Sequence, residues 1–140
     1  MFRSLSSLLC FAGVLLFLLG LLTGFAIPAL KAPRIGLSAH LAATQMGIAL
    51  VIFGFLWERL TLWNGWSAPL AQILWISFYL IWIGIVLGAM WGTGRALPIA
   101  GAGHTALKWQ EQAALLPLAL GSFASLAVIV LLLIQWRWKA

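Results

Sequence analysis

The chain has 140 residues, of which 64% are hydrophobic and only 7% charged, proportions that exclude a soluble globular domain. A formal net charge of +6 would suggest nucleic acid in a soluble chain. Here the basic residues stand singly at the ends of apolar runs, where lipid headgroups meet them, and form no stripe with interleaved aromatics.

Four apolar runs stand out, at about residues 5–27, 38–57, 70–91 and 113–136. At a helical rise of about 1.5 Å per residue, each crosses a hydrocarbon layer of roughly 30 Å. None shows the two-residue alternation of a membrane barrel. The expected fold is all-α: an integral membrane four-helix transmembrane bundle, in one domain spanning residues 1–140.

The first run follows Arg3 and ends near Ala26 and Ala29, an outline shared with secretory signals. It exceeds the roughly 7 to 15 residues of a signal core, so a spanning helix is expected instead. The single cysteine, Cys10, rules out an intrachain disulfide. Pro28, Lys31 and Pro33 break the run, and the second run closes on Trp57, Glu58 and Arg59. In "TLWNGWSAP", residues 61–69, Asn64, Gly65 and Pro69 are turn formers, while Trp63 and Trp66 favour the membrane boundary. Trp136 and Trp138 mark that boundary from the last helix, and Trp91 and Trp109 mark the opposite one. Orientation stays open: Arg3, Arg59, Arg137 and Lys139 share one side, and Lys31, Arg34, Arg95 and Lys108 the other. The longest connection, residues 92–112, is long enough to invite a functional role.

Most enzyme chemistries lack their parts. The glycines of "GTGRALPIAGAGH" are not followed by Lys-Ser or Lys-Thr, so they form no phosphate loop. The only carboxylate side chains, Glu58 and Glu111, lie at span ends, which leaves no paired-acid mechanism and no midplane proton relay. No Cys/His cluster suits zinc.

His40 remains. At about 100° per residue, Gly36, His40, Ala43, Gly47, Val51 and Gly54 fall on a stripe roughly 80° wide, bordered by Thr44. Two readings fit. Small residues four apart let helices pack closely, with a histidine as polar glue. Alternatively, a smooth surface with one imidazole suits a planar tetrapyrrole whose iron takes a nitrogen ligand. Ser38 is the expected N-cap. It places His40 in the first turn, where the helix dipole favours the uncharged ring that binds metal. The absence of C-x-x-C-H makes any haem noncovalent.

The segments "PRIGLSAHLAATQMG" and "MWGTGRALPIAGAG", in a chain of four spans, resemble hydroxylaminobenzene mutase and, more remotely, styrene oxide isomerase. The likeness runs from about residue 15 to residue 135. It implies a homotrimeric membrane isomerase in a bacterial inner membrane, with haem b between subunits and its iron on the histidine matching His40. Ferric iron then acts as a Lewis acid with no net redox change, and the substrate is a small aromatic hydroxylamine or an aryl epoxide. Gly36, Ala43, Thr44 and Gly47 are the expected haem surface beside His40, with Arg95 on a propionate or on headgroups.

This sequence departs from the family pattern in two places. Met46 stands where an asparagine usually precedes the glycine matching Gly47, and Ile81 occupies a second polar family position. Gln45 and Tyr79 are the candidate catalytic replacements, although Gln45 lies roughly 140° from His40 around the helix. Met46 and Trp82 are candidate substrate contacts. His104 is expected as a solvated loop residue, and Glu111 as an interfacial charge near Lys108. The expected partners are a small aromatic substrate, membrane lipid and further copies of the chain, with no nucleic acid. The rivals are a non-catalytic or electron-carrying haem b protein, a purely structural membrane protein and, last, a small multidrug exporter: electron transfer wants a second strong ligand, and an exporter wants an intramembrane acid.

Overall fold

The computed structural model describes residues 4–60, 62–63 and 65–135. Arg3, Asn64, Trp136, Arg137, Trp138 and Lys139, used above for the boundaries and the charge tie, lie outside the described residues. Four long helices follow in order: α1 (Leu5–Ala26), α2 (Pro33–Trp57), α3 (Ser67–Trp91) and α4 (Lys108–Gln135), with a 3-10 turn at Ile27–Ala29. All four are long and apolar enough to cross a membrane, so the protein is an integral membrane four-helix bundle. The chain runs up and down. The starts of α2 and α4 share one side, called here the loop side, with the 92–107 connection.

Helix starts differ from the sequence expectation by several residues, for identifiable reasons. α2 begins at Pro33, five residues before the expected position, because proline at the first helical position has the right φ and lacks an N–H that would be orphaned. Its preceding residue, Ala32, donates its N–H to the Ala89 carbonyl at 3.0 Å, which ties the start of α2 to the end of α3. Ser38 is therefore not an N-cap; its hydroxyl donates to the Arg34 carbonyl one turn back, at 3.2 Å. α4 likewise starts at Lys108, with the Gln110 side chain reaching back to accept the Leu107 N–H at 3.0 Å. That contact is half of a capping box, and it lets the polar segment 108–112 continue the helix above the membrane.

Packing depends on small residues. A Cβ added to Gly47 of α2 would lie 2.7 Å from the Phe17 nitrogen and 2.8 Å from the Gly13 carbonyl oxygen, so α1 and α2 touch backbone to backbone. The same closeness recurs between α3 and α4 at Gly84, where an added Cβ would meet the Ala114 carbonyl oxygen at 2.7 Å. Small residues are what permit such approach where lipid removes the hydrophobic drive for helix association. α3 packs on α2 and α4 and also reaches α1, while α1 and α4 do not touch. Leu9, Leu16, Leu50, Leu70, Leu74 and Leu132 are fully buried at the centre.

Candidate functional site

The stripe that runs from Gly36 to Gly54 is a helix-packing surface in this fold. Gly36 faces Leu30 and Ile27, Ala43 faces Gly20, Gly47 faces Gly13 and Phe17, and Gly54 faces Cys10 and Ser6. Gly36, Ala43 and Gly47 are buried. The smooth face expected to lie against a planar ligand is thus covered by α1 and the turn after it, which corrects the surface that sequence alone suggested. Where a ligand could approach is the outer edge of this seam.

His40 sits on that edge, as the eighth residue of α2 and not in its first turn. Dipole effects fade within the first turn, so they do not act on this ring. What orients it is α1. Nδ1 lies 2.8 Å from the Gly20 carbonyl oxygen, and an oxygen that can only accept requires the proton on Nδ1. With Nδ1 as the donor, Nε2 is the ring nitrogen left to meet a ligand. The ring lies over Gly24, where an added Cβ would stand 2.8 Å from Nδ1. Gly20 and Gly24 form a GxxxG pair in α1 that makes room for the imidazole and supplies its acceptor. Sequence reasoning missed both glycines, although their spacing was there to read.

One turn further along α2, Thr44 is half-buried, and its hydroxyl lies 3.0 Å from both the His40 and the Leu41 carbonyl oxygens. Beyond it, an apolar cavity of about 260 Å³ opens between α1 and α2, lined by Val14, Phe17, Gly47, Ile48, Val51 and Ile52. Thr44, Gly47, Ile48 and Val51 all lie within about 80° of His40 around the helix. The cavity begins at Gly47, about 10 Å along α2 from His40 on the same side of the helix, and its walls are apolar.

Tyr79 belongs to a different flank. Its hydroxyl donates to the Ala12 carbonyl at 2.8 Å, and its ring meets Trp75 edge-on, with centroids 5.7 Å apart. Both rings line a second cavity of about 230 Å³ between α1 and α3. Ala12 and Gly20 are roughly 12 Å apart along α1 and about 80° apart around it, so one chain does not bring Tyr79 to His40. Gln45 is exposed, and Met46 is half-buried against the central core. Trp82 bridges the central core and the smaller cluster near the loop side, and its indole N–H donates to the Thr23 hydroxyl at 3.2 Å. Ile81 packs beside Gly121 of α4.

On the loop side Arg95 is exposed, whereas Glu111 is only 8% exposed. Its carboxylate accepts the backbone N–H of Ala96 at 2.8 Å and that of Arg95 at 3.2 Å. Glu111 therefore clamps the long connection, beside Lys108 in the walls of two cavities. Lys31 holds the same connection from the other side through the Thr105 carbonyl, at 3.4 Å. His104 is half-buried and lines a small cavity with Arg95 and Lys108.

Four spans, with an imidazole oriented by a neighbouring helix and with carboxylate side chains only at span ends, define an integral membrane helical protein. Comparison with known proteins gives the class a family. The model of the styrene oxide isomerase family matches residues 5–137, and the chain belongs to that family. Its relatives include hydroxylaminobenzene mutase HabB of Ectopseudomonas oleovorans, 38% identical over 129 residues, or 91% of this chain and 77% of that protein. Hydroxylaminobenzene mutase HabA of the same organism is 39% identical over 102 residues, covering 72% of this chain and 76% of that one. No solved structure matches. The protein is an intramolecular isomerase of the membrane.

Proposed function

We propose that this isomerase converts a small aromatic hydroxylamine to an aminophenol, with an aryl epoxide as the alternative substrate, and that it uses haem b held by His40. The observation that supports a haem is the His40–Gly20 contact. Metal-binding histidines characteristically donate their second ring N–H to a carbonyl or carboxylate, which fixes the tautomer and points the bare nitrogen at the metal. In this chain the Gly20 carbonyl takes Nδ1–H at 2.8 Å, so Nε2 is the nitrogen that would hold iron. The other histidine, His104, lies in the loop-side connection. A single intraspan ligand suits a site with a vacant iron position better than six-coordinate electron transfer.

Ferric haem supplies a Lewis acid with no net redox change. The protein supplies the surroundings. In the hydroxylamine rearrangement the N–O bond breaks and hydroxyl is regained at a ring carbon, whose hydrogen is lost while nitrogen gains one, so that the formula is unchanged. In the epoxide route a C–O bond opens and hydride shifts to give the aldehyde. Both pass positive charge to carbon; water reaching the epoxide-derived centre would give a diol, whereas at the arylamine ring it gives the same aminophenol. Val14, Phe17, Ile48, Val51 and Ile52 line the cavity that begins about 10 Å along α2 from His40 with apolar surface only, which suits an apolar aromatic substrate. The mutase names of both relatives favour the hydroxylamine.

The cavity is open along its outer side, and a second copy of the chain would close it. A homotrimer with haem at the contacts, in a bacterial inner membrane, completes the proposal. Across such a contact Tyr79 or Gln45 of one copy can approach His40 of another. The test is a spectrum and an assay on the haem-supplemented protein. A Soret band that disappears in His40→Ala is expected, together with aminophenol formed from phenylhydroxylamine by the wild type. Colourless wild-type protein would overturn the haem, and turnover of styrene oxide alone would overturn the hydroxylamine.

A further inference from the structure

We infer that the loop side of α3 and α4 carries a phosphate site, between Arg95 and Lys108, that takes the headgroup of an anionic phospholipid. Two adjoining cavities, of about 120 and 260 Å³, share Arg95, Lys108 and Glu111 in their walls. Cations alone at a membrane boundary are commonplace, but here a fixed cavity lies between them. The chain has only two carboxylate side chains. Glu58 caps the opposite end of α2, and Glu111 turns its oxygens onto the backbone N–H groups of Arg95 and Ala96. The neighbourhood keeps a net positive charge, suited to charge-assisted bonds with phosphate oxygens.

The connection that carries Arg95 is tied at two points: Glu111 accepts the N–H groups of Arg95 and Ala96 from the α4 side, and Lys31 reaches the Thr105 carbonyl from the α2 side. Its level is that of headgroups: Trp91 and Trp109 pack with ring centroids 5.1 Å apart at the adjoining ends of α3 and α4. A phosphodiester could come free or on a lipid, and one wall favours lipid. Leu115 closes the larger cavity one turn deeper and is 45% exposed, and Leu116 beside it is 61% exposed. An acyl chain can therefore descend α4 directly from the phosphate. The site lies on α4 and the connection before it, whereas His40 stands at the seam of α1 and α2.

The test is thermal unfolding of the detergent-purified full chain during titration with dihexanoyl phosphatidylglycerol, dihexanoyl phosphatidylcholine or inorganic phosphate. A saturable rise in midpoint is expected with phosphatidylglycerol and not with phosphatidylcholine. Arg95→Gln and Lys108→Gln should each weaken it by about tenfold, as loss of a charged hydrogen bond does. Arg34→Gln, which removes an exposed cation of the same side outside both cavities, should leave the titration unchanged. Equal effects of the two lipids, or equal loss in Arg34→Gln, would overturn the site. An equal rise with inorganic phosphate would overturn lipid as its occupant. Circular dichroism checks that the variants fold. Native mass spectrometry of the wild type, expected to retain phosphatidylglycerol over phosphatidylcholine, gives a reading that needs no variant.

Discussion

Nδ1 of His40 stands 2.8 Å from the carbonyl oxygen of Gly20, so a residue of α2 takes its tautomer from the backbone of α1. His40→Ala removes that bond but leaves the Gly20 carbonyl its place in the helix ladder. Polar contacts between membrane helices average about 0.6 kcal/mol, so the variant should fold and lose little stability. Its Soret band and its isomerase activity should both vanish. A band of unchanged position and intensity would move the ligand elsewhere, even if activity fell.

Gly47 gives the sharpest test of the packing. Its added Cβ would stand 2.7 Å from the Phe17 nitrogen, and backbone cannot yield as a flexible side chain does. Gly47→Val should force α1 and α2 apart, at a cost of about 1–3 kcal/mol or more. Ile48→Val, at a neighbouring position that is 51% exposed, should stay within about 0.5 kcal/mol. Denaturation midpoints in detergent compare the two, and equal midpoints would contradict the close contact.

Much of the fold was legible because lipid imposes one demand, that backbone groups be satisfied within a long apolar helix. Composition therefore located four spans. It located their starts less well. Ser38 reads as an N-cap by residue type, yet Pro33 begins α2 five residues earlier because the chain can dock Ala32 on Ala89. The small-residue stripe was visible, but its partner was not: one face of one helix does not say whether a ligand or a second helix covers it. The answer lay in α1, where Gly13, Gly20 and Gly24 provide the matching surface. The clamp that Glu111 makes was not legible for a similar reason. Its partners are backbone N–H groups, which carry no sequence signature.

Tyr79 separates a structural hydroxyl from a chemical one. Its O–H donates to the Ala12 carbonyl at 2.8 Å, on the flank of α1 away from His40. Tyr79→Phe should then cost about 0.6 kcal/mol, in line with other bonds between membrane helices. Isomerase activity should stay within about threefold of wild type. A loss of about 100-fold, the scale of acid-base participation, with an unchanged Soret band, would place the hydroxyl on substrate supplied by a neighbouring copy.

Glu111→Gln tests the clamp on the long connection. The carboxylate now receives N–H groups from both Arg95 and Ala96, and hydrogen bonds to a charged group contribute about 1.5–3 kcal/mol. The amide keeps one acceptor oxygen, but its NH2 group faces donors and cannot replace the second. One of the two N–H groups is left without its partner, in a connection that Lys31 also holds at Thr105. Hydrogen exchange at Arg95 and Ala96 should speed up by about tenfold or more, while exchange in the middle of α1 and α2 is unchanged. His40 stands at the seam of helices that α4 does not support directly, so the Soret band should survive. Uniform acceleration through all four helices would mean that Glu111 stabilises the whole bundle instead of one loop.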